Sequence, residues 1–221
     1  MCKIIYYYQS FSSLYELADS GIQNVYIYVS SLHFGVNDDG SLYLHLNNKN
    51  AYQQEVWSDL KKASLKGIKI CVMMGGAGGG IGQMFEHFEL YFEMLIQLFH
   101  MFPFIKGVDL DVEEHIDISN IKMLINSISQ KMGNDFIITM APIASSLLTP
   151  QPGMGGFSYK ELYKTEEGKR INWFNAQCYG NCDYETYSSI VKHYPEGKIA
   201  LGMLGNNYNV DNFDEFLKEL K

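Results

Sequence analysis

Lys106-Gly107-Val108-Asp109-Leu110-Asp111-Val112-Glu113 reads as a short buried strand that carries acids where a buried strand should have none. Val and Leu favour a pleated, packed environment. Side chains alternate along a strand, so Asp109, Asp111 and Glu113 share one face and Val108, Leu110 and Val112 the other. The three carboxyl groups form a row with about 6.6 Å between neighbours. A core tolerates an ionised carboxylate only when it is paired or hydrogen-bonded. The row is therefore a catalytic row, a set of magnesium or calcium ligands, or a solvated strand end. Charged interior positions of this kind cluster at functional sites.

Outward from this stretch, strand and helix patterns alternate. Strands are expected over 3–9, 25–32, 68–74, 136–142, 172–179 and 198–204. Helices are expected over 12–20, 52–66, 83–101, 118–132, 159–163, 184–193 and 210–220. Val56, Leu60, Ala63 and Leu65 should face inward on the second helix, and Ser119 is the candidate N-cap before 118–132. Such alternation implies a parallel sheet. Polar residues fall at the C-terminal ends of several strands, the pattern of a barrel mouth. The expected fold is α/β, a (β/α)8 TIM-type barrel in one domain over 1–221. Seven units are legible, so the eighth strand is expected to be missing or atypical, by C-terminal truncation or an unusual seam.

Composition bounds the function. The chain has 221 residues, 47% hydrophobic and 19% charged, with 16 Tyr and 13 Phe, which suits one globular domain. A net charge of −8 without a Lys/Arg cluster argues against a nucleic-acid surface. The apolar region 85–105 is broken by Glu86, Glu89, Glu93 and Gln97, so it reads as an amphipathic helix rather than a membrane span. No basic flank and apolar run precede the first strand, and the expected compartment is cytoplasmic. Of four cysteines, Cys71 reads as a small core residue, while Cys178 and Cys182 are spaced for a local disulfide. No cofactor is implied, and a monomer is expected.

Within the row, Glu113 is nearest the mouth and is the candidate general acid. Alternation turns Glu114 outward. His115 shares the face of Glu113, to tune the acid or to cap the strand end. Asp109 and Asp111 are close like charges that should share a proton and titrate together. A second polar row, Asn175, Gln177 and Tyr179, lies on 172–179. It is either a ligand surface or a buried hydrogen-bond network. Gly75-Gly76-Ala77-Gly78-Gly79-Gly80 lacks the Lys-Ser/Thr of a P-loop. Tyr6, Tyr8, Trp57 and Trp173 are candidate rings, most of them packing, and Asn206 and Asn207 end the last strand.

The acid stretch resembles the signature of family 18 glycoside hydrolases, Asp-x-x-Asp-x-Asp-x-Glu, in three of its four acids. Lys106 stands in place of the first. The glycine run resembles the family's Gly-Gly signature after strand three. Thr139-Met140-Ala141-Pro142 resembles its fifth strand, and Gln177-x-Tyr179 its sixth. Val112-Glu113-Glu114, Ala141-Pro142 and Asn175-Ala176-Gln177 look most like fungal and microbial members, chitinases or endo-β-N-acetylglucosaminidases. The resemblance implies a substrate-assisted retaining mechanism. Glu113 would be acid and then base, Asp111 would hold the acetamido N–H, Asp109 would support Asp111, and Tyr179 would bind the acetamido oxygen. Gln177 would contact the sugar or Glu113. Asn175, Met140, Gly75, Gly76, Tyr6 and Tyr8 are the further candidate substrate-binding residues. The implied substrate is a GlcNAc-containing glycan or glycoprotein, with the N-glycan chitobiose core preferred over chitin. The remaining alternatives are a sugar-binding lectin on an inactive barrel and a metal-dependent hydrolase.

Overall fold

The computed structural model describes residues 3–10, 12–78, 80–179 and 184–202. Its strands are β1 (Ile4–Tyr8), β2 (Val25–Val36), β3 (Leu42–Leu46), β4 (Lys49–Asn50), β5 (Lys69–Gly75), β6 (Ile105–Asp111), β7 (Ile137–Met140), β8 (Trp173–Gln177) and β9 (Ile199–Gly202). Its helices are α1 (Tyr15–Asp19), α2 (Gln54–Leu65), α3 (Ile81–Glu86), α4 (Phe88–Met101), α5 (Ile118–Met132), α6 (Tyr159–Lys164), α7 (Glu166–Lys169) and α8 (Tyr184–Val191). The order β1-β2-β5-β6-β7-β8-β9 is parallel at every step.

This sheet is a TIM-type barrel wall. Three strand steps separate β1 from β6, about 14 Å if flat. Yet the Tyr7 hydroxyl on β1 donates to Asp109 Oδ2 on β6 at 2.6 Å. Only a curled sheet brings the two together. The curl carries β1 round towards β9: Lys3 Nζ donates to the Gly197 carbonyl at 2.9 Å and lies 4.9 Å from the Trp173 ring centre. Ile5 and Tyr7 pack in the same interior cluster as Ala200. The expected eighth strand and the helix over 210–220 lie outside the described residues.

Two cores flank the sheet. The larger lies between sheet and helices and holds Ile27, Val72, Val108, Ile138, Met140, Phe174 and the helix faces. The smaller fills the barrel floor with Tyr26, Tyr28, Cys71 and Trp173. Parallel strands covered on both sides are apolar on both faces, which explains the near-continuous hydrophobic runs. Gly107 belongs to the floor by necessity: a Cβ there would lie 2.6 Å from the Ile137 carbonyl oxygen and 3.0 Å from Cys71 Sγ.

Several local expectations need correction. The alternation is interrupted by a hairpin, because β3 runs antiparallel to the far half of β2. Leu65 is 80% exposed, and Trp57 takes the inward place on α2. Leu65 is nine residues past Val56, about 180° round the helix. The helix expected over 83–101 is two, broken at His87, whose φ of −136° and ψ of 51° are not helical. Asp117, not Ser119, caps α5, its Oδ1 accepting the Ser119 N–H at 2.8 Å.

Candidate active site

The barrel interior is layered. Above the apolar floor lies a hydrogen-bonded layer centred on Asp109, which is 0% exposed. Its carboxylate accepts from the Tyr7 hydroxyl at 2.6 Å, the Thr139 hydroxyl at 2.6 Å and Asn175 Nδ2 at 3.1 Å. With its one proton given to Asp109, the Thr139 oxygen can accept from the Tyr28 hydroxyl 3.1 Å away. Asn175 Oδ1 in turn accepts from Trp173 Nε1 at 2.8 Å. Burial pushes the Asp109 pKa up to about 6, against the downward pull of its three donors.

Asp111 sits one pleat higher and is 6% exposed. Its Oδ1 accepts from Gln177 Nε2 at 3.0 Å, and Gln177 also donates to the Ala141 carbonyl at 2.7 Å. Burial, then the charges of Asp109 and Glu113, push the Asp111 pKa up to about 8. At neutral pH one proton therefore resides on this carboxyl, between Asp109 and Glu113. The proton expected to be shared by Asp109 and Asp111 rests on Asp111, which burial and the charge of Asp109 raise.

Glu113 lies beyond the end of β6 and is half-buried. Its charge reaches Asp111 and Tyr179. The Tyr179 phenol is raised first by burial and then by Asp111, Glu113 and Asp109. Tyr179 is 51% exposed, so it stands at the mouth with a face open to a ligand. Cys178, immediately before it, is disulfide-bonded.

The glycine run shapes the mouth. Gly75 and Gly76 have φ of +87° and +90°, the left-handed region that favours glycine. A Cβ on Gly75 would lie 2.4 Å from the Asp111 carbonyl oxygen. The Gly76 N–H donates to that same oxygen at 2.8 Å. Main chain thus passes directly beside the acid row. The Gly76 amide is spent on the protein, so these glycines form the wall of the site rather than donors to a substrate.

Three candidate substrate-binding residues face elsewhere, and a fourth is taken up by the interior network. Met140 is fully buried in the sheet–helix core, beside Ile138, while Thr139 faces the barrel interior. Tyr8 packs in that same core and donates to the Ser12 carbonyl at 2.6 Å. Tyr6 shares its outer face and is 41% exposed. Asn175 is inside the barrel, but its amide is taken by Asp109 and Trp173, the buried-network alternative. Gln177 contacts Asp111 rather than Glu113. Trp57 is packing, donating to the Ala51 carbonyl. Lys106 is remote from the row, its Nζ donating to the Pro103 carbonyl at 2.8 Å. His115 lies over Gly156, where a Cβ would come 2.4 Å from its ring. Asn206 and Asn207 lie outside the described residues.

The interior residues missed in the sequence are Tyr7, Tyr28, Thr139 in its role towards Asp109, and Met73. Met73 pairs in register with Asp109, and its methyl would be 2.6 Å from a Cβ on Gly76. Counting back by two from Gly75, or across from Asp109, would have found it. Among the described residues no three His, Cys, Asp or Glu side chains converge as a metal site. Also among them, no helix is long and apolar enough to cross a membrane.

No protein-family model matches the chain, and no curated protein does. Solved structures do. A chitinase, ChiC, from Aspergillus fumigatus superposes with a TM-score of 0.88 at 26% identity, covering 100% of this chain and 86% of that one. A fungal endo-β-N-acetylglucosaminidase from glycosyl hydrolase family 18 gives 0.85 at 27% identity, covering 100% and 85%. A xylanase and α-amylase inhibitor protein from Scadoxus multiflorus shares the fold at a TM-score of 0.59 and 20% identity, covering 91% and 79%. The fold therefore also occurs in a protein described as an inhibitor, and a functional argument must rest on the acid row.

Proposed function

The chain belongs to glycoside hydrolase family 18, and from that premise we propose that it is a retaining, substrate-assisted endoglycosidase cutting the GlcNAc-β1,4-GlcNAc bond of the N-glycan chitobiose core. One observation carries the mechanism: a protonated Asp111 held between Asp109 and Glu113. A glycosidic oxygen leaves poorly without a proton. Glu113, at the mouth, donates it. The acetamido oxygen of the sugar attacks C1 as the C1–O bond breaks, giving an oxazolinium ion. Asp111 holds the acetamido N–H and Tyr179 the acetamido oxygen. Asp109, fixed by three donors, keeps the negative charge that Asp111 needs beside it. Water then attacks C1 from the vacated side, and Glu113 takes its proton. The configuration at C1 is retained.

One feature supports the role of Gln177 as an aligning residue. It bridges Asp111 to the Ala141 carbonyl, and so sets the angle at which Asp111 can turn towards a ligand. The likeness to the A. fumigatus chitinase is as good as that to the endo-β-N-acetylglucosaminidase, and it favours chitin oligomers as the second reading. Product analysis of a high-mannose glycopeptide beside a GlcNAc oligomer decides between them. Release of a glycan with one GlcNAc left on the peptide is expected. Cleavage of the oligomer alone would reverse the preference. Cleavage of neither would end the endoglycosidase reading.

A further inference from the structure

β6 ends at Asp111, so no ladder hydrogen bond of the sheet fixes Glu113. Its position must come from its neighbours. Val112 is buried against the helix layer. Glu114 turns the opposite way from Glu113, and its Oε1 accepts the Gly82 N–H at 2.7 Å, in the first turn of α3. The carboxylate lies flush on that main chain: a Cβ on Gly82 would be 2.9 Å from Glu114 Oε2. The other end of the same glycine-rich segment is tied to the same strand, Gly76 N–H to the Asp111 carbonyl at 2.8 Å. Gly76 and Gly82 are thus tied to positions 111 and 114, which bracket Glu113. On the far side the Ile116 N–H donates to the Gly155 carbonyl at 2.9 Å.

We propose that Glu114 is a positioning residue for Glu113, its carboxylate clamping the strand end to α3 so that the neighbouring acid is aimed at the leaving oxygen. This rests on the reading of Glu113 as general acid. A proton donor works only within hydrogen-bond reach of the atom it protonates. A misplacement of about 1 Å can cost roughly 100-fold. Freed from Gly82, the segment after Asp111 can swing, and the transfer most sensitive to that swing is the one to the leaving group. A residue that merely caps α3 would affect all substrates alike.

The test compares two substrates with the same non-reducing sugar. One has a GlcNAc leaving group, which needs protonation. The other has a nitrophenol, acidic enough to leave without it. Glu114→Ala should lower kcat on the sugar leaving group about tenfold to 100-fold, with KM little changed and the aryl substrate slowed much less. Glu114→Gln keeps an oxygen for the Gly82 N–H and should restore most of the rate. Gly82→Ala pushes the carboxylate away from the other side, and should reproduce the leaving-group selectivity even if Glu114→Ala does not fold. Equal slowing of both substrates, or no rescue by Gln, overturns the positioning role. Glu113→Gln is run beside them. If it still cleaves the sugar substrate at the normal rate, the general-acid reading itself fails.

Discussion

The Tyr7 hydroxyl donates to Asp109 Oδ2 at 2.6 Å across 102 positions of sequence. It is one of three donors that pull the Asp109 pKa down against burial. Tyr7→Phe removes a bond that favours the charged carboxylate, so the Asp109 pKa should rise. A hydrogen bond to a charged group contributes about 1.5–3 kcal/mol, so the acid limb of kcat/KM should move up by about one pH unit or more. A pH–rate profile that does not move would remove Tyr7 from the site.

Asp111 has a folded-state pKa of about 8, well above the unfolded value of about 3.9. The folded state binds the proton more tightly, so this group costs stability as pH rises from about 4 to about 8. Asp109 acts in the same sense up to about 6. Asp111→Asn keeps an acceptor for Gln177 but cannot ionise. Its Tm should exceed that of the parent at pH 9 and match it at pH 4, while turnover collapses. Calorimetry at both pH values checks this, and an equal Tm difference at both would refute the burial of the charge.

Glu113→Gln should lower kcat on a natural glycan by at least about 100-fold, the usual contribution of a general acid. Sugar binding, followed by calorimetry or tryptophan fluorescence, should persist. An external nucleophile cannot restore the proton, so the aryl substrate should retain far more of its rate than the natural one. Full activity of this variant on glycan would end the mechanism.

Met140 and Met73 make an internal control for which face of the wall meets the substrate. Met140→Ala opens a cavity in the sheet–helix core and should cost about 2–5 kcal/mol, with KM and kcat of the folded enzyme unchanged. Met73→Ala, beside Gly76 and Asp109, should instead raise KM or lower kcat. The opposite pattern would invert the assignment of the faces.

The acid stretch alone determined much of this protein. Asp109 and Asp111 on one strand face, with Glu113 next in the row, pointed to a site, and that one strand declared its own parity because its two faces differ in chemistry. The order of parallel strands followed from the alternation of patterns. The inward face of β1 and β7 did not. Tyr6, Tyr7 and Tyr8 are alike, and Ile137, Ile138, Thr139 and Met140 differ too little, since both faces of a parallel sheet are buried and period two gives spacing without origin. Only the curvature of the wall decided that Tyr7 rather than Tyr6 or Tyr8, and Thr139 rather than Met140, meets Asp109. Hydrogen bonds across 102, 30 and 66 positions of sequence have no local signature, and it is burial among them that sets the proton on Asp111.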